Sequence, residues 1–276
     1  MGGLRQGVAA LRHRRSIAEL SDADVTALRQ GYLAMEALTD ERGYGYWAGI
    51  HGLPLPFYCQ HGSPLFLPWH RAYLYFFEQY LLDQAPESGV PWWDWSTQAG
   101  LPASYEVAQL ADGSPNPLAT GPVTGIPPEQ FANAGLQPVD VTSRQPDDPS
   151  VLPSQQEVQD VLAAADFADF TLQLENIHNG VHVWVGGSMG LIPLAAYDPI
   201  FWSHHVMVDR LWWVWQLAHP GAGPDPALLD RALAPFPMTV RQTLDITTLG
   251  YEYATATTSA SPATASTNQG ASSSEE

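Results

Sequence analysis

Histidine placement constrains this chain more than any other feature. Of nine histidines, His51, His61 and His70 form one group and His178, His182, His204 and His205 a second, while His13 and His219 fall outside both. His178 and His182 stand four residues apart in Glu175-Asn176-Ile177-His178-Asn179-Gly180-Val181-His182, a spacing that projects both imidazoles from one helical face. By itself that pair is weakly specific, because histidines at this spacing also occur without a metal. His61 and His70 are nine residues apart, about two and a half helical turns, and would face opposite ways on a shared helix. His61 is therefore expected before the start of a helix that carries His70.

The two groups share a second pattern. Phe66 precedes His70 by four residues, and Phe201 precedes His205 by four, so each phenylalanine is expected to wall its imidazole on one helical face. Three neutral imidazoles per ion suit copper, nickel or zinc and leave a position open for an exogenous molecule. Either group alone could be structural; both together argue against unrelated buried or surface histidines.

The rest of the chain supplies the scaffold. Apolar residues recur at helical spacing over 21–38, with Ser21 and Asp24 as a capping pair. Further helices are expected over 68–82, with Pro68 confined to the first turn, over 155–183 in one or two pieces, and over 202–217. The expected fold is mainly α: a four-helix bundle housing a dinuclear metal site, with long loops around it. The stretch 100–153, rich in Pro, Gly, Asp and Ser, is expected to wrap over the bundle and shape access to the site. Residues 1–253 read as one catalytic domain and 254–276, mostly Ala, Ser and Thr, as a disordered tail.

Composition excludes several classes. The net charge is −18, every basic residue is an arginine, and nucleic acid is an improbable partner for a chain without a basic face. No stretch is apolar enough for a membrane span, and no signal peptide is visible. The one cysteine, Cys59, cannot form an intramolecular disulfide. A cytoplasmic location is expected, or secretion with assistance.

The motifs resemble those of the tyrosinase family of type 3 copper proteins, which includes catechol oxidases, plant polyphenol oxidases and molluscan haemocyanins. His61, Phe66, Trp69, His70, Arg71, Leu74 and Glu78 fit its first copper signature. Asp198, Pro199, Phe201, His205 and Asp209 fit the second, and the stretch from His178 to Gly187 looks like bacterial tyrosinases. The resemblance implies two copper ions, the first held by His51, His61 and His70 and the second by His178, His182 and His205. His204 is the neighbour most easily mistaken for a ligand; the offsets from Phe201 and Asp209 select His205. His13 and His219 are expected at the surface.

Further roles follow from the same resemblance. A thioether is expected between Cys59 and His61. Asn179 and Glu175, with Asp169 as a rival to the glutamate, would hold the water that takes a phenol's proton. Ile192, Val206 and Phe201 are expected at the substrate pocket, and Asp209 is expected to orient a ligand through its ring nitrogen, as Phe66 walls His70. Tyr251-Glu252-Tyr253 matches a tyrosine motif closing the domain, against which Arg14 or Arg15 would pack. The implied activity is hydroxylation of monophenols and oxidation of catechols to ortho-quinones with dioxygen. Alternatives are an oxidase restricted to catechols or ortho-aminophenols and, less favoured because no length remains for a covering domain, an oxygen carrier. The implied partners are O2, small phenols and, as in some bacterial relatives, a copper-delivery protein.

Overall fold

The computed structural model describes residues 11–86 and 89–253; the expected tail, residues 254–276, lies outside the described residues. The fold is mainly helical, as expected. Its principal helices are α1 (Asp22–Glu36), α2 (Tyr44–His51), α3 (Phe66–Gln84), α6 (Gln155–Leu162), α7 (Phe167–Val185) and α9 (Ile200–Ala218). Short helices α4 (Ala103–Glu106), α5 (Pro128–Asn133) and α8 (Ile192–Ala195) lie between them. A two-stranded parallel ribbon pairs β1 (Arg12–Arg14) with β2 (Tyr251–Tyr253).

Local chemistry sets several helix starts. Ser21 and Asp24 form a reciprocal capping box on α1, and Asp166 caps α7 by accepting from the Asp169 N–H. Asp198 Oδ1 accepts from the Ile200 N–H at 3.0 Å and starts α9. The expected third helix is two, α6 and α7, separated by 163–166. α7 stops at Gly186, whose φ of 63° places a would-be Cβ 2.6 Å from Gln145 O, so only glycine fits.

Sequence periodicity does not reveal α2. Its run Tyr44-Gly-Tyr-Trp-Ala-Gly-Ile-His51 carries two glycines, each costing about 1 kcal/mol in a helix. Burial of Tyr44, Trp47 and Ile50, worth roughly 1.5–3 kcal/mol for each large side chain, outweighs that cost. The helix ends at Gly52, where a Cβ would lie 2.4 Å from Pro193 O. This close approach, with Leu53 N donating to Pro193 O at 3.0 Å, brings the end of α2 against α8.

α3 and α9 pack on each other across a core of fully buried aromatics that includes Trp69, Tyr73, Phe77, Trp202 and Trp212. The loop region is fastened to this core by one arginine. Arg144 donates to both oxygens of Asp198 at 2.6–3.0 Å and to the carbonyls of Tyr105 and Leu118. Among the described residues, no helix is long and apolar enough to cross a membrane.

Candidate metal centre

The two histidine groups converge. His51 ends α2, His70 sits in the second turn of α3, and His61 precedes α3 on an irregular segment, as its spacing requires. One ring nitrogen from each of these three lies within 4.8 Å of the others, and the same holds for His178, His182, His204 and His205 on α7 and α9. The groups face each other: the His70 and His205 rings stack with centroids 4.6 Å apart.

Hydrogen bonds fix which nitrogen His70, His178 and His182 turn inward. His70 Nδ1 donates to Phe66 O at 2.8 Å and His182 Nδ1 to Met189 O at 2.9 Å. A carbonyl only accepts, so in these neutral rings the proton sits on Nδ1 and the lone pair on Nε2. His178 Nδ1 meets Asn179 Oδ1 at 3.1 Å, which orients it the same way. The Nε2 atoms of His178, His182 and His205 then lie 2.9–3.3 Å apart. The lone pairs of His178 and His182, brought to 2.9 Å, repel unless a cation lies between them. Within the other group, both ring nitrogens of His51 and Nε2 of His70 are buried with no hydrogen-bond partner among the described residues. Orphaned, preoriented imidazole nitrogens fit metal ions in both groups.

Burial keeps these rings neutral. It pushes His61 and His182 down to about 4, and His51, His70, His178 and His205 well below the usual histidine range. A neutral imidazole is the ligating form, so the donors need not shed protons near pH 7.

His204 is also fully buried, but its ring stacks on His178 at 5.0 Å and neither of its nitrogens has a partner among the described residues. It takes no part in the close Nε2 contacts of His178, His182 and His205. His13 is exposed and faces Glu252 at 3.2 Å, and His219 stacks on Trp215 away from both groups. The phenylalanines sit against the imidazoles, with ring centroids 4.7 Å apart for Phe66 and His70 and 4.1 Å for Phe201 and His205.

A cavity of about 420 Å³ opens on the histidines, lined among others by His51, His61, His178, His182, Glu175, Asn179 and Ile192. Phe201 and Val206, expected at the substrate's edge with Ile192, do not line it; both are fully buried. Asp169 is exposed in the first turn of α7 and bonded to Gln173, whereas Glu175, two turns further along, reaches the cavity. Glu175 Oε1 accepts from the Gly62 N–H at 2.6 Å, and burial raises its proton affinity while that bond lowers it, for a net rise. Residues 100–153 do not line this cavity, contrary to expectation, because Arg144 holds the loop against Asp198. Cys59 is half-buried, and burial pushes its thiol up to about 11.

Asp209 differs most from expectation. Instead of bonding a histidine, its carboxylate accepts from Arg14, Arg71, Tyr251 and Tyr253. Burial raises its proton affinity, but the two guanidiniums outweigh burial and hold the group below the usual carboxylate range. Arg14 also pairs with Glu78 and lies 3.8 Å above the Tyr251 ring, while Arg15 pairs with Asp24. Sequence reading singled out Glu78 only as a motif residue and missed that Arg12, Arg14 and the Val90 N–H all converge on it. Its place five residues before Asp83, on the half of α3 that runs toward the helix end, gives little local sign of that burial.

Comparison with known proteins agrees with this geometry. Residues 41–218 match the tyrosinase family, described as the common central domain of tyrosinase. The tyrosinase of Streptomyces glaucescens is 38% identical over 189 residues, covering 60% of this chain and 68% of that protein. Units G and H of Sepia officinalis haemocyanin are 30% identical over 216 residues, covering 74% of this chain but 37% of theirs. The chain thus spans little more than a third of that relative, and 8% of the G-type haemocyanin of Enteroctopus dofleini, 34% identical. An octopus haemocyanin functional unit superposes with a TM-score of 0.75 at 29% identity, covering 88% of this chain and 68% of that one. A mushroom tyrosinase shares the fold, with a TM-score of 0.75 over 89% of this chain and 90% of its own at 24% identity. The chain belongs to the tyrosinase family of type 3 dicopper proteins, and its two facing histidine groups fit the family's pair of copper ions.

Proposed function

We propose that this chain is a tyrosinase, which hydroxylates monophenols beside the hydroxyl group and oxidises catechols to ortho-quinones with dioxygen. One copper is held by His51, His61 and His70 and the other by His178, His182 and His205. We assign His205 rather than its neighbour His204 to this ion because the Nε2 atoms of His178, His182 and His205 crowd together at 2.9–3.3 Å. Bound copper supplies the one-electron redox steps and a binding place for dioxygen and the phenol oxygen.

The observation that carries this reading is that Glu175 and Asn179 line the same cavity as the histidines. A phenol binds a metal well only after losing its proton. Glu175, whose proton affinity burial raises, is suited to accept that proton through a water held with Asn179. Asn179 Oδ1 also orients His178, so one amide serves both tasks. Cys59, two residues before His61, would fix that loop ligand through a thioether to the imidazole carbon.

An oxygen carrier is the second reading, favoured by the likeness to Sepia and octopus haemocyanins. The cavity mouth weighs against it: Leu172, Val183 and Ile192 line it with 58%, 73% and 48% of their surfaces exposed, an approach open to phenols among the described residues. Oxygen uptake with a monophenol and a trace of catechol tests the proposal. A tyrosinase consumes oxygen continuously with both substrates, a catechol oxidase only with the catechol, and a carrier with neither.

A further inference from the structure

We infer that the cavity selects phenols whose substituent opposite the hydroxyl is uncharged and apolar, and discriminates against those carrying a carboxylate there. This rests on the oxidase reading, since it assumes that the phenol oxygen points toward the histidines. The opposite end of the ring then points to the mouth, where Leu172, Val183 and Ile192 stand exposed. Neither arginine nor lysine lines the cavity, and its one carboxylate, Glu175, lies beside Gly62 and the histidines.

Two effects act in the same direction. A carboxylate brought against Leu172, Val183 and Ile192 loses water and meets no cationic side chain in return, only the neutral amide of Asn176, whereas an alkyl group gains about 25 cal/mol for each Å² it buries. The net charge of −18 additionally lowers the concentration of anions near the surface, an effect that salt weakens. Val183 is the decisive position. It directly follows His182, lines the mouth and is the most exposed of the three, so an arginine there has room to meet a substrate carboxylate without disturbing the core.

The experiment compares 4-propylphenol with 3-(4-hydroxyphenyl)propanoate, which differ in a terminal methyl against a carboxylate. Binding to the copper-loaded protein is measured without oxygen, so that the result does not depend on turnover. The neutral phenol should bind at least tenfold more tightly at low salt, and Val183→Arg should shrink that ratio at least fivefold. Equal or tighter binding of the carboxylate by the unaltered protein overturns the inference, as does an unchanged ratio in Val183→Arg. Oxygen uptake with the same compounds tests the oxidase reading separately: selective binding without turnover removes that reading and leaves the selectivity standing.

Discussion

Glu175 and Gly62, 113 residues apart, are joined by a 2.6 Å hydrogen bond from the Gly62 N–H to Glu175 Oε1. This bond ties α7, the helix of His178 and His182, to the loop of His61, whose position no helix fixes. Glu175 therefore has two separable tasks, holding that loop and accepting a proton.

Substitution separates them. Glu175→Gln keeps an oxygen for Gly62 but is a far weaker base, so monophenol turnover should fall at least tenfold relative to catechol turnover, with copper content unchanged. Glu175→Ala loses both tasks and should also weaken retention of the copper bound through His61. Substrate-ratio kinetics and metal analysis check this; equal loss on both substrates in Glu175→Gln would remove the proton-acceptor role.

The adjacent histidines should behave differently. His205→Asn should reduce copper from two ions per chain to one, because it breaks the contact among the Nε2 atoms of His178, His182 and His205. His204→Asn removes a ring stacked on His178 and should keep both ions. Metal analysis of the purified variants decides it, and copper loss in His204→Asn alone would reverse the assignment.

The buried charges around Asp209 should dominate stability. Arg14→Met leaves Glu78 and Asp209 each short of a guanidinium in the interior, and breaking such a pair costs about 3–5 kcal/mol. Denaturant unfolding should show a loss of that order, while Arg42→Met, whose Asp40 pair is exposed, should change little.

The metal-free protein should lose stability on acidification. Burial lowers His61 and His182 to about 4 in the folded chain, against about 6.5 when unfolded. Between those values the unfolded state binds more protons, so stability rises with pH across the window and falls as pH drops from about 6.5 toward 4, by up to about 1.4 kcal/mol per unit for each histidine. Thermal unfolding from pH 7 to 4 measures it, and copper, which binds the neutral imidazoles, should raise the melting temperature most near neutrality.

The parts legible in the sequence were those governed by short-range rules. Ser21 and Asp24 announced the start of α1, and the nine-residue gap to His70 placed His61 ahead of α3. Tertiary contact decided the rest. α2 was hidden because Gly45 and Gly49 break its period and burial against the core sustains it. The partners of Asp209 were hidden because Arg14 comes from 195 residues away, carried in by the pairing of β1 with β2. Val206, next to His205 in sequence, points into the core because neighbours on a helix do not share a face.

The account stands most directly on oxygen consumption by the copper-loaded protein given a monophenol and a trace of catechol. It predicts sustained uptake that continues after the catechol is spent, with the ortho-quinone of the monophenol accumulating. Uptake that stops with the catechol, or reversible oxygen binding without quinone from either compound, would contradict it.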